Sequence, residues 1–140
     1  PLIYILENSI REFIDIIMTK LHGNNWWDNQ VNTKLRTNVQ NKMADDQKNA
    51  WHQRRGARPI DYLDLKDLPN LMRKIENNVV PHIFPSFQWF DQLVDEVYGS
   101  RCVVCHMNPL AKHNIQNLKV KFDQWQRQLK AKKTHIETFF

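Results

Sequence analysis

Arg101 and His106 stand five positions apart in the run Arg101-Cys102-Val103-Val104-Cys105-His106, and they are the pair in this chain best equipped for chemistry. The guanidinium carries a permanent charge on a planar fork that matches phosphate oxygens. The imidazole titrates near neutrality and can take or give a proton at working pH. Acting on RNA, such a pair needs neither a metal nor a protein nucleophile, because the ribose 2′-hydroxyl is itself the nucleophile. Proton transfer by a placed histidine is worth about 10²–10⁴-fold, and charge stabilisation by the arginine adds a comparable factor.

The same run holds two other patterns. Cys102, Cys105 and His106 have the C-x2-C-H spacing of a covalent haem site. With His113 they offer ligand types suited to zinc. Haem attachment calls for export, and no export signal is visible. A zinc knuckle calls for a turn, whereas Val103 and Val104 continue a helical pattern. The cysteines therefore read best as small buried apolar side chains, with no metal or cofactor expected. Taken alone, R-x4-H is a weak signal in a chain with 6 His and 20 Lys plus Arg. Arg101 in a surface ion pair and His106 near a helix end would give the same pattern.

The elements that must position the pair read as helices. Leu6, Ile10, Phe13, Ile14, Ile17 and Leu21 recur at helical spacing over residues 2–21, and Gly23 suits a left-handed cap. Asp28 or Asn29 is expected to cap a second, polar and peripheral helix towards Trp51, anchored by Val31, Leu35, Val39 and Met43. Residues 52–67 read as irregular, and Asp61, Asp64 and Asp67 as capping residues rather than metal ligands. A short helix follows through Ile75 with Pro69 in its first turn. Pro81 and Pro85 punctuate the next connection. A fourth helix starts near Ser86, carries Phe87, Phe90, Leu93, Val94, Val97, Val104 and Cys105, and stops at Pro109. Asn114 is expected to cap a fifth, with a seam of Ile115, Leu118, Phe122, Trp125 and Leu129. Trp89 and Trp125 read as core, while Trp26 and Trp27 could be core or base-stacking residues.

With only 3 Gly and 6 Pro, tight turns are too few for an all-β fold. Four or five helices with short connections imply an all-α antiparallel bundle. At 140 residues the expectation is one domain spanning 1–140. The start at Pro1 rather than Met fits a piece of a larger protein or a processed product. Residues 2–21 contain Glu7, Arg11, Glu12, Asp15 and Lys20, so they are neither a signal peptide nor a membrane span. Two cysteines fit a reducing, cytoplasmic setting.

Residues five apart on a straight helix differ by roughly 140°. Arg101 and His106 therefore meet at one phosphate only if the last turn frays before Pro109, if Gly99 bends the helix, or if two subunits each bring a motif. The net charge is +5, and its distribution is uneven. Residues 111–133 hold Lys112, Lys119, Lys121, Arg127, Lys130, Lys132 and Lys133 against the single acid Asp123, and Arg54, Arg55 and Arg58 form a second cluster. Such surfaces attract nucleic acid or anionic membranes, although a solvated helix face would look alike. Lys130, Lys132 and Lys133 are expected to contribute salt-dependent RNA affinity.

Residues 89–129 resemble the HEPN superfamily of small all-α ribonuclease domains, whose mark is R-x4-6-H at a helix end followed by a turn and one more amphipathic helix. Further stretches narrow the resemblance to its Swt-type branch: residues 6–14 (LENSIREFI), 51–56 (WHQRRG), 59–68 (PIDYLDLKDL), 106–110 (HMNPL) and 122–125 (FDQW). That branch is named after a eukaryotic transcription-surveillance endonuclease and has relatives in bacterial defence systems. The resemblance covers nearly the whole chain. It implies a homodimer with two motifs facing one composite cleft, and metal-independent cleavage leaving a cyclic phosphate. Arg101 and His106 would be catalytic, and Glu7, Arg11, Asn108 and Lys112 would contact substrate. It also implies a nuclear setting for a surveillance protein, or an antitoxin or further domains as partners. Two positions depart from the family. Cys102 stands where a polar residue, most often asparagine, is usual, and a thiol is a poorer hydrogen-bond partner than an amide. Asn108 stands where related toxins carry a nucleotidylated tyrosine, so that control is not expected. The alternative reading is a catalytically silent dimerisation or RNA-binding module of a larger defence or surveillance protein.

Overall fold

The apolar spacing of the first twenty residues produces the element around which the others assemble. Helix α1 (Leu2–His22) buries Leu6, Ile10, Phe13, Ile14 and Ile17 along one stripe. It ends at Gly23, whose φ of +84° places it in the left-handed region while its N–H donates to the Thr19 carbonyl oxygen at 2.9 Å. The computed structural model describes residues 2–48, 58–105 and 111–139, except the side chains of Val104, Cys105 and Phe139. The expectations placed on Arg54, Arg55, His106, Asn108 and Pro109 fall outside the described residues.

The polar stretch expected as one helix is two, α2 (Trp26–Gln30) and α3 (Thr33–Lys48). Val31 turns extended to bury its side chain between them. Asn32 then caps the new helix, its Oδ1 accepting the Leu35 N–H at 2.8 Å, so neither Asp28 nor Asn29 is the cap. Trp26 is core, and its indole N–H donates to Asp15 at 3.0 Å.

Between α3 and the next helix, the 3₁₀ turn Pro59–Tyr62 is more deeply packed than its sequence suggests. Ile60, Tyr62, Leu63 and Leu65 are all buried. Asp61 closes the turn by accepting the Arg58 N–H. The Arg58 guanidinium reaches Glu12 (2.8 Å), Asp15 (2.9 Å) and Asp61 (3.1 Å), tying the turn to α1. Burial lowers its pKa, but the hydrogen bond and charge of Asp61, followed by those of Glu12, outweigh that and leave it raised. This arginine of the second basic cluster is engaged by acids of its own chain.

Helix α4 (Asp67–Arg73) forms where expected, and α5 (Glu76–Val79) occupies part of what read as a connection. The Val80–Pro81 bond is cis. Helix α6 (Phe87–Cys105) is capped by Ser86, whose Oγ accepts the Trp89 N–H at 3.2 Å. It runs on through Gly99 without interruption. Helix α7 (Lys112–Ala131) begins before Asn114, whose N–H already donates to the Ala111 carbonyl oxygen, so Asn114 is not its cap. Its seam is narrower than expected: Leu118 and Trp125 are buried, Phe122 and Leu129 half-buried, and Ile115 is 40% exposed. At Lys132 the chain breaks into a short α8 (Lys133–Phe139), which packs Ile136 on the core and stacks His135 on His82.

Helices α1, α6 and α7 pack against one another around Trp125. That indole is fully buried, meets Phe13 edge-on at 5.4 Å, lies against Phe84 and Phe90, and donates to Ser9 Oγ at 2.8 Å. The class is all-α, with no strand among the described residues. The extra helices beyond four or five are short pieces at the edges of this three-helix centre. No helix among the described residues is long and apolar enough to cross a membrane.

Trp125→Ala should cost about 3–5 kcal/mol in urea unfolding, whereas Ile115→Ala should stay within about 0.5 kcal/mol. A Cβ on Gly99 would meet nothing within 4 Å. Gly99→Ala should therefore raise stability by about 0.5–1 kcal/mol, measured the same way.

Candidate active site

Glu7 and Arg11 sit one turn apart on α1, 6% and 4% exposed, on the side that faces α6. A carboxylate this deep needs compensating charge, and two arginines supply it. Arg11 Nη1 approaches Glu7 Oε2 at 3.3 Å and also Asn8 Oδ1 at 3.5 Å, while its Nη2 donates to the Leu63 carbonyl oxygen at 3.0 Å. Arg101 comes across from α6 and places Nη1 3.5 Å from Glu7 Oε1. That oxygen accepts no hydrogen bond among the described residues, so the Arg101 contact is ionic rather than a formed hydrogen bond.

The helix directions explain the meeting. Glu7 lies near the start of α1 and Arg101 near the end of α6, so the two helices run antiparallel and present these ends together. The start of α7 joins them. Asn114 and Asn117 line a groove of about 430 Å³ with Gly99, Ser100 and Glu96 of α6, and Lys121 closes it with a 3.6 Å ion pair to Glu96. One end of the bundle thus gathers Glu7, Arg11, Arg101 and the first turns of α7. His106 follows Cys105, the last residue of α6, in the chain.

No protein-family model, curated protein or solved structure matches this chain.

Arg101 keeps part of its guanidinium accessible. Its side chain is 34% exposed, and Glu7 holds it from the buried side while the exposed part is left to solvent. The three charges, two arginines against one carboxylate, leave one net positive charge at a half-buried position, where anions are attracted more strongly than at an open surface.

The face of α6 next to Arg101 carries a second set of groups that no spacing in the sequence announced. Tyr98 and Cys102 are one turn apart, and Lys66 sits with its Nζ 4.4 Å over the Tyr98 ring. Cys102, first through side-chain hydrogen bonding and then through the charge of its thiolate form, pushes the Tyr98 phenol above its ordinary value, with burial and Asp64 acting the same way and Arg101 the opposite. Cys102 is thus a half-buried free thiol beside a phenol, where asparagine would offer two donors and a carbonyl. Leu63 was also invisible to sequence reading, because its role rests on a backbone carbonyl that any residue could supply.

Other candidates are placed elsewhere. Lys112 is exposed on the first turn of α7, at the same end as Arg101. Lys130 lies about 27 Å further along that helix axis at 1.5 Å per residue, and Lys132 and Lys133 follow it. These three are not part of the Arg101 cluster. Cys102 and Cys105 both lie within helical α6, and His113 is exposed on α7. Asp61 caps the 3₁₀ turn, Asp64 pairs with Lys42 at 3.2 Å, and Asp67 opens α4. Among the described residues no group of three or more His, Cys, Asp or Glu side chains could hold a metal ion.

Neutralising Glu7 removes the buried charge that both arginines face, whereas removing Arg101 takes away a partly exposed cation that makes no hydrogen bond to it. Glu7→Gln should cost about 3 kcal/mol of stability, and Arg101→Ala about 1 kcal/mol or less. Parallel urea titrations would show whether the cluster is ordered from Glu7 outward.

Proposed function

We propose that this chain is a HEPN-type domain of the Swt-like branch that binds RNA and cuts it without a metal, as a homodimer whose two motifs share a cleft. The observation that carries this reading is the meeting of Arg101 with the buried Glu7–Arg11 pair at the end of α6. Two of these residues lie one turn apart on α1, and the third joins them from α6, five residues before His106 in the chain.

In this reaction His106 takes the proton from a ribose 2′-hydroxyl. The 2′-oxygen attacks the adjacent phosphorus, and the bond to the 5′-oxygen of the next nucleotide breaks. Protonated imidazole, from the same or the second copy, returns a proton to that leaving oxygen. The products are a 2′,3′-cyclic phosphate and a 5′-hydroxyl. Arg101 holds the phosphate oxygens and stabilises the charge that grows on them, and Lys112 adds a non-specific phosphate contact.

A second reading has its own support. Arg101 is already faced by Glu7, and Cys102 offers a thiol one turn from Tyr98 rather than an amide. Both features suit a silent module that binds RNA or dimerises inside a larger protein.

Incubating the whole chain with single-stranded RNA in excess EDTA separates the two. The nuclease should cleave and leave cyclic phosphate ends. His106→Ala should lower the rate by about 10²–10⁴-fold with RNA binding largely intact. Cleavage that survives His106→Ala would overturn the mechanism. A folded, dimeric wild type that binds but never cuts would establish the silent module, with gain of cleavage in Cys102→Asn pointing to the substituted position.

A further inference from the structure

Helix α1 has a second functional face. Positions nine apart on a helix differ by roughly 180°, so Ile16 points away from the side that carries Glu7. Ile16 is 41% exposed, and with Phe13, Leu129 and Ile136 it forms the apolar floor of an open groove of about 630 Å³. One wall is α1, and the other is the end of α7 with α8. Lys20, Lys130, Lys133, Glu12 and Glu137 stand on the rim.

The rim charges are not equivalent. Glu12 is bound by Arg58 at 2.8 Å, and Glu137 faces Lys133 at 3.9 Å. Lys20 and Lys130 have no ion-pair partner among the described residues. The acids of the rim are thus engaged by this chain's own cations, and two lysines remain over an aliphatic floor. We propose that this groove docks an acidic amphipathic helix from a partner protein, its apolar stripe on Ile16, Leu129 and Ile136 and its carboxylates on Lys20 and Lys130.

The groove's shape and lining select this occupant. Glu12, Ile16 and Lys20 follow one another at four-residue steps over about 12 Å of helix axis, enough for two turns of a helix bound through residues three and four apart. RNA fits less well, since single strands are held by stacking on aromatic faces. Here, among the described residues, the one aromatic lining residue is Phe13, which is buried and already packed on Phe84 and Trp125. A second copy using the same groove would bring more lysines, with its rim acids Glu12 and Glu137 already engaged by its own cations. The proposal does not depend on the nuclease reading, because none of the groove residues belongs to the Arg101 cluster.

The test uses two capped 14-residue helical peptides with leucine at alternating three- and four-residue spacing, one with glutamate and one with lysine at the remaining positions. Binding to the whole chain is followed by calorimetry and by methyl NMR of Ile16, Leu129 and Ile136. The glutamate peptide should bind with shifts concentrated on these methyls, and the lysine peptide about tenfold more weakly or not at all. Ile16→Glu and the double change Lys20→Glu/Lys130→Glu should each lower affinity about tenfold. All three positions are at least partly exposed, and unchanged thermal melting would show that the fold survives. Failure of the glutamate peptide to bind, equal binding of both peptides, or shifts outside the groove would overturn the proposal. Single-stranded RNA that shifts the same methyls and displaces the glutamate peptide would reassign the groove to nucleic acid. Loss of RNA cleavage in His106→Ala with peptide binding intact would show that the two sites stand or fall separately.

Discussion

A carboxylate buried between two arginines is the interaction on which one end of this bundle depends. Glu7 is nearly inaccessible, and an isolated charge there would cost several kcal/mol. Arg11, on the same helix, compensates one oxygen and is itself held by the Leu63 carbonyl oxygen. Arg101, from α6, lies against the other. The demand of one buried anion thus brings together α1, the segment after the 3₁₀ turn and the end of α6. It also fixes which end of the bundle collects positive charge.

The hydrophobic centre makes that arrangement possible. Trp125 fills the space between α1, α6 and the Phe84 loop, and its indole N–H is satisfied by Ser9, which stands between Glu7 and Arg11 in the chain. Because α1 packs on α6 and α7 together, its three faces have distinct fates. One is apolar core, one holds the charge cluster, and one remains open as the groove around Ile16. Arg58 adds a brace at the middle of the helix, joining Glu12 and Asp15 to Asp61. Positive charge in this chain therefore has several uses, and only part of it is left facing solvent.

Much of the helical content was legible from spacing. The limits of α1, its glycine stop and the core roles of Leu118 and Trp125 follow from local periodicity and from the conformational freedom of Gly23. The break at Val31–Asn32 did not, because burying Val31 depends on what packs against it. The cap expected at Asn114 failed for a similar reason: several polar residues precede the apolar run, and any could have started the helix. The depth of Ile60, Tyr62, Leu63 and Leu65 was hidden by their irregular backbone, which carries no period to read.

For the candidate site, the residue types and the R-x4-H spacing were written in the sequence, as was the placing of Glu7 and Arg11 one helical turn apart, although their ion pair was not read from it. These are properties of neighbours along a chain, and a 3.6-residue repeat is enough to reveal them. The meeting of Arg101 with Glu7, across more than ninety residues, was decided only by the antiparallel packing of α1 on α6. So was the removal of Lys130, Lys132 and Lys133 to the far end of α7, and the engagement of Arg58 by acids. Charge is countable in a sequence, but its use is set by which opposite charge the fold brings within reach, and that is a property of tertiary structure alone.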